Sequence, residues 1–244
     1  MPSQTLSPPP ENASHLLYTY RRCPYAMRAR MALLVAQIPF TAHEIDLKNK
    51  PNHLFTASPK GTVPVLVQPD GMVLEQSWDI VHWALTHPTA PQHAHAWWAN
   101  AQKADNRRLL EQNDGDFKRH LDRYKYPERF GMSDPNAKAA FRETNRDLAV
   151  NTLLRPLEQQ LTNADYLGGS HPCATDMGIF PFVRQFAAVE PAWFGSLPLP
   201  HVRAWLAGWV TSALFAHCMH KLTVNLPEVF PLAQTENSST HPSP

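Results

Sequence analysis

The chain has 244 residues, 22 Lys+Arg against 21 Asp+Glu and a formal net charge of +1, enough for one large domain or two modest ones and no global field to hold nucleic acid or an anionic membrane. No run approaches the ~18 consecutive apolar residues of a membrane span, and the opening MPSQTLSPPPENAS has neither the basic nor the apolar region of a secretion signal. Three cysteines, Cys23, Cys173 and Cys218, make no disulfide framework, so reduced thiols in the cytosol are expected, with no membrane and no nucleic-acid partner.

Residues 1–14 and 232–244 are Pro- and Ser-rich or polar, and are expected to be disordered tails. His15 to Tyr20 is a short apolar and aromatic run that predicts a strand. From Pro24 to Gln37, Met27, Met31, Leu34 and Val35 recur at helical spacing, with Pro24 suited to a first turn and Ile38-Pro39 closing the run. FTAHEIDL, residues 40–47, alternates like a strand and leads into a polar stretch with Lys48, Lys50 and Pro51. Val63–Val67 and Met72–Leu74 flank a Pro69-Asp70-Gly71 turn and predict a hairpin. Ser77–Leu85 predicts a helix with Ser77 as its N-cap, which completes the order β-α-β-(α)-β-β-α. After the linker His87-Pro88-Thr89-Ala90-Pro91 strand signals nearly vanish, and helical patterns occupy 93–121, 136–162, 175–189 and 199–220. The expected fold is therefore a small α/β domain over 15–88 and an all-α domain over 93–225.

Cys23 carries the chemistry of this pattern. It falls where a strand ends and a helix begins, so its sulfur would meet unpaired N–H groups and the positive end of the helix dipole. Arg21, Arg22, Arg28 and Arg30 surround it in sequence without an acid, which predicts a thiol pKa below the ordinary value. Cys173 and Cys218 read as small buried apolar side chains. Tyr18, Tyr20 and Tyr25 are near enough in sequence to offer a hydroxyl mechanism instead. Neither His87, His93 and His95 nor the pair His217 and His220 has an evident third carboxylate or thiolate, so no metal is expected.

Three segments carry a family resemblance. YRRCPYAMRARMAL resembles the Cys-Pro-Tyr-Xaa turn of the thioredoxin fold in glutaredoxins and cysteine-type glutathione transferases. Gly61-Thr62-Val63-Pro64-Val65-Leu66 resembles that family's loop before a cis-proline, and Leu74-Glu75-Gln76-Ser77-Trp78-Asp79-Ile80 its γ-glutamyl-binding segment. Over residues 15–225 the chain is similar to a cysteine-type, omega-like glutathione S-transferase, which implies a thioredoxin-like N-terminal domain followed by an all-α helical domain.

The resemblance implies glutathione as cosubstrate and Cys23 as a nucleophile that forms a mixed disulfide with it. Ala26 stands where a dithiol turn has its second thiol, so glutathione would resolve that disulfide. Val63 and cis-Pro64 would pair with the tripeptide backbone, Gln76 and Ser77 would receive the γ-glutamyl carboxylate, and Lys48 would meet the glycine carboxylate. Gln76 replaces the Glu of many relatives. Asp176 resembles the family's helix-capping aspartate, with Cys173 in place of the usual Ser or Thr. Asp116–Tyr126, aromatic and basic, is a candidate lining for the cleft of an unknown second substrate, and a homodimer is implied by the resemblance alone. Two alternatives stand beside this reading: a noncatalytic interaction protein on the same fold, and conjugation or reductive dehalogenation of aromatic electrophiles.

Overall fold

A computed structural model describes residues 14–131 and 134–231. The expected tails lie outside these residues, apart from Ser14, whose hydroxyl meets that of Thr41 at 2.8 Å. The first part of the chain forms β1 (His15–Thr19), α1 (Pro24–Val35), β2 (Phe40–Glu44), α2 (Asn52–Ala57), β3 (Val65–Val67), β4 (Val73–Leu74) and α3 (Ser77–Thr86). β1 runs parallel to β2, antiparallel to β3, and β3 pairs antiparallel with β4. Strand alternation sorts the faces. Leu17, Ala42 and Leu66 point to the main core shared with α1 and α3, whereas Tyr18, Ile45 and Val65 form a second layer with Leu54 of α2.

The helical half comprises α4 (Gln92–Ala101), α5 (Ala104–Gln112), α6 (Lys118–Lys125), α7 (Pro135–Ala149), α8 (Arg155–Leu161), α9 (Ala174–Ala187), α10 (Pro191–Ser196), α11 (Pro200–Thr211) and α12 (Ala213–Cys218). The single helix expected over 93–121 is broken between α4 and α5, where buried Asn106 donates to the Asn100 carbonyl (2.9 Å) and the Leu167 carbonyl (3.1 Å). A tertiary hydrogen bond there overrides an apolar periodicity that runs straight through. π-helical turns at Asn113–Phe117 and Val150–Leu154 join α5 to α6 and α7 to α8. The helix expected over 199–220 restarts at Ser212, whose hydroxyl accepts the Phe215 N–H at 3.1 Å and so caps α12.

Two features tie the halves together. α9 is buried along nearly its whole length and packs against α1. Gly178 in α9 has the Trp78 ring 2.9 Å from where a Cβ would stand, and its carbonyl accepts Arg28 Nε at 2.6 Å. The second feature was not foreseen: β5 (Pro227–Val229) returns from the far end of the chain and pairs antiparallel with β2, giving the strand order β4-β3-β1-β2-β5. Phe230 stacks on Phe40 at 4.8 Å, which anchors this short edge strand. Among the described residues no helix is long and apolar enough to cross a membrane.

Candidate functional site

The turn after β1 places Cys23 at the N-cap of α1, with extended backbone (φ −76°, ψ 122°) and Pro24 at the first turn. Its N–H donates to the Tyr20 carbonyl and its carbonyl accepts the Met27 N–H, both at 2.9 Å. The loop is braced from two sides. Arg21 N–H donates to Glu44 Oε1 at 2.7 Å, and buried Arg30 donates to Thr19 Oγ1, to the Arg21 carbonyl (2.8 Å) and to the Cys218 carbonyl (3.0 Å). Glu44 was missed by sequence reasoning; a carboxylate ending an otherwise strand-like run was the available signal.

The Cys23 thiol points at the Val63 carbonyl, 3.7 Å away, across from the start of β3. Val63–Pro64 is cis, as the resemblance implied. Burial pushes the Cys23 thiol up; the Ala26 and Tyr25 amides at the head of α1, and the charges of Arg30 and Lys118, pull it down without reversing the direction. The expectation of a depressed thiol is therefore overturned. Two of the four arginines counted in sequence serve other partners: Arg28 forms a two-pronged ion pair with Asp114 (2.9 and 2.5 Å), and Arg22 donates to the Tyr20 hydroxyl (2.6 Å). Lys118 and Asp114 come from the helical half, and nothing in the local sequence around Cys23 announces them.

Of the other expected residues, Gln76 and Ser77 stand at the head of α3. Ser77 is not the N-cap, as expected, but the first helical residue, and it is buried; Gln76 takes the cap position and is exposed. The correction arises because Gln76 has the extended backbone (φ −106°, ψ 134°) that a cap requires, and its carbonyl accepts the Ile80 N–H at 3.1 Å. Lys48 lies apart in the exposed loop after β2, its N–H donating to Asp46 Oδ1 at 2.9 Å.

Among the described residues none of the three tyrosine hydroxyls hydrogen-bonds the Cys23 sulfur. Tyr18 meets His53 Nδ1 at 2.8 Å on the α2 side of the sheet, Tyr20 accepts from Arg22, and burial and Asp114 push the Tyr25 phenol up to about 12. Within Asp116–Tyr126, Phe117, Leu121 and Tyr124 are core residues rather than cleft lining. Among the described residues no three His, Cys, Asp or Glu side chains are placed to hold a metal.

Comparison with known proteins places this geometry in a class. A family model for the glutathione S-transferase N-terminal domain matches residues 22–87, and one for the glutathione S-transferase C-terminal domain matches 144–208, together more than half of the chain. The chain belongs to the glutathione S-transferase family. Among individual relatives, it is 42% identical over 55 residues to a probable glutathione transferase of Aplysia californica (22% of this chain, 60% of that one). It is 39% identical over 61 residues to glutathione S-transferase omega-1 of Mus musculus (25% of each chain). These matches span less than two thirds of either relative's length. The fold extends further. A glutathione transferase family member from Pseudomonas fluorescens, solved with two glutathione bound, superposes with TM-score 0.68 at 17% identity, covering 84% of this chain and 92% of that one. A glutathione S-transferase from Xylella fastidiosa gives TM-score 0.69 at 17% identity over 84% of this chain and 97% of that one.

Proposed function

We propose that this protein is a glutathione-dependent thiol transferase or reductase in which Cys23 is the nucleophile. The observation that carries the reading is the position of the Cys23 sulfur at the head of α1, facing the Val63 backbone. A sulfur there can attack while a tripeptide lies extended along Val63 and Pro64, as a strand pairs with a sheet edge. The Cys23 thiolate attacks the glutathione sulfur of a mixed disulfide, the substrate thiolate leaves and takes a proton, and Cys23–glutathione disulfide remains. A glutathione thiolate then attacks that disulfide, releasing oxidised glutathione and regenerating Cys23, so that mixed disulfide and one free glutathione give the substrate thiol and oxidised glutathione. Ala26 leaves no second thiol in the turn to compete with glutathione.

In this reading residues 15–88 form the glutathione-binding domain and 93–225 the helical domain. The head of α3, with Gln76 and Ser77, takes the γ-glutamyl carboxylate, and Lys48 meets the glycine carboxylate. Support comes from relatives named as omega-class transferases and from neighbours solved with glutathione bound. All three cysteines are free, which fits a reducing, cytosolic setting.

The test is mass spectrometry of the wild-type protein after turnover with a glutathione mixed disulfide. An adduct of glutathione mass on Cys23, removed by excess glutathione, is the expected result. No adduct together with no glutathione binding would favour the noncatalytic alternative, and a thioether product with an aromatic halide would favour conjugation. Light scattering checks the homodimer that the family resemblance implies.

A further inference from the structure

A pocket of about 390 Å³ opens between the loop that carries Cys23 and the helices α6, α9 and α12. Its volume is in the range of small-molecule sites. Four of its lining side chains are cations, Arg21, Arg22, Lys125 and Arg184, and no acid lines it. Such convergence is unfavourable without a counter-charge, because each pair of like charges repels across a partly dehydrated gap.

Neighbouring arginines are treated differently. Arg142 and Arg146, on α7, both pair with Glu190, at 3.2 and 3.4 Å. Arg28 pairs with Asp114. None of the four pocket cations has an ion-pair partner among the described residues. Arg22 leans on the Tyr20 ring and Lys125 on the Tyr126 ring, and the Glu44 carboxylate, bonded to the Arg21 N–H, acts on Arg21 and Arg22 without a salt bridge to either.

Arg184 is the informative member. It is half-buried, and burial works against its charge. Its guanidinium lies 5.2 Å from the Phe215 ring centre, one nitrogen is 3.9 Å from Met27 Sδ, and Nε is buried with no hydrogen-bond partner. A buried guanidinium nitrogen without an acceptor costs free energy unless a ligand supplies one. The planar fork of Arg suits an oxyanion, to which it donates two parallel hydrogen bonds.

The pocket is lined by the loop that leads into the reactive residue. Arg21 and Arg22 precede Cys23 directly, and Arg184 touches Met27, whose N–H is bonded to the Cys23 carbonyl. We propose that this pocket binds the carboxylate end of the molecule whose sulfur meets Cys23, so that the protein selects anionic disulfides over neutral ones of the same size. The proposal deepens the thiol-transferase reading and rests on it for the role of Cys23; the binding site itself does not need the chemistry. In the selected reaction the Cys23 thiolate forms a bond to one sulfur of a dicarboxylate disulfide, the sulfur–sulfur bond breaks, and the carboxylate-bearing thiolate leaves and is protonated by water. A glutathione thiolate then attacks the enzyme disulfide, releasing a mixed disulfide of glutathione and the carboxylate-bearing thiol and regenerating Cys23.

Two measurements test this with 3,3′-dithiodipropionate and 2-hydroxyethyl disulfide as anionic and neutral probes. In the first, calorimetry on the Cys23→Ser protein reads binding without turnover. The expected result is at least about tenfold tighter binding of the dicarboxylate, the size of one charge-assisted hydrogen bond, weakening as salt rises. Arg184→Met should remove that preference and Arg184→Lys should restore part of it. A purely structural Arg184 would shift both probes together. Lys125→Met, on the pocket rim, gives a second reading if Arg184→Met fails to fold. In the second, the ratio of kcat/KM for the two disulfides with glutathione is compared between wild type and Arg184→Met, and should fall about tenfold. Equal binding of both probes, or a preference that survives both substitutions, overturns the pocket. Selective binding with no turnover of either disulfide overturns the thiol-transferase reading and leaves the anion pocket standing.

Discussion

Two helices of this protein begin at a cysteine. Cys23 caps α1 and Cys173 caps α9, both with extended backbone and both facing first-turn amides. The residue three positions on separates them. After Cys23 it is Ala26, which leaves the amides of the first turn open toward the sulfur. After Cys173 it is Asp176, whose Oδ2 accepts the Cys173 N–H at 2.8 Å while Oδ1 accepts the Leu167 N–H and Trp205 Nε1–H, each at 2.9 Å. Cys173 is fully buried, and burial followed by the Asp176 charge pushes its thiol far above the ordinary range. Cys23 is pushed up by burial too, but two amides and two cations pull it back. A helix N-terminus does not by itself make a cysteine reactive; access and the absence of a competing carboxylate do.

The sharpest way to break this comparison is Cys23→Ser. A hydroxyl is scarcely ionised near neutral pH, so disulfide exchange should fall by on the order of a thousandfold or more, with the melting temperature little changed. Retained exchange in that variant would remove Cys23 from the mechanism. The corresponding blow to the second helix start is Asp176→Asn. The amide offers one acceptor where three N–H groups now find two oxygens, and its own NH2 must face a donor. A loss of about 3 kcal/mol or more is expected, roughly 6–12 °C in Tm. Calorimetric unfolding within a degree or two of wild type would show that the cap contributes little.

How much of this was legible before folding follows the range of the interactions. The strand and helix around Cys23 and the hairpin were readable because local periodicity, Pro and a Pro-Asp-Gly turn specify them within a few residues, whereas the cis-Pro64 loop was implied by the family resemblance. The capping role of Asp176 was likewise implied by the resemblance. The thiol's electrostatics were not. Arg28 lies five positions from Cys23 in sequence, yet it is held by Asp114, 86 positions away, while Lys118 from the helical half acts on the sulfur. β5 was invisible because Pro227–Val229 is a three-residue strand with a leading proline and no alternation to read. The break before α5 is bridged by Asn106, whose side chain reaches back to Asn100 and across to Leu167, 61 residues on.

A smaller effect sharpens the comparison through pH. Because burial raises the Cys23 thiol, its alkylation by iodoacetamide should show a midpoint above the ~8.5 of a free thiol, and kcat/KM for disulfide exchange should rise through the same alkaline range. The folded protein then holds the proton more tightly than the unfolded chain. The stability this contributes is complete below the unfolded thiol's pKa and is lost as pH rises through the higher folded value. Cys173 and Cys218, both fully buried, should resist alkylation until the protein unfolds. An alkylation midpoint below neutrality would show that the amides and cations outweigh burial at Cys23.

The smallest expected effect is the most pointed, because it applies the Cys23 substitution to the other helix. In Cys173→Ser the hydroxyl replaces a sulfur that faces the Asp176 N–H without forming a normal cap hydrogen bond. Serine is among the preferred N-caps, so the cap should strengthen, and Asn106 Nδ2, now 3.7 Å from the sulfur, keeps an acceptor nearby. Against this stand the loss of a larger, more apolar atom from a fully buried site and the desolvation of a hydroxyl. These terms oppose each other at similar size, so chemical denaturation should find a change of less than about 1 kcal/mol in either direction, and disulfide exchange should be unaffected. A loss above about 2 kcal/mol would mean that Cys173 holds the fold as an apolar core atom rather than as a cap, and that the likeness of the two helix starts is confined to their backbones.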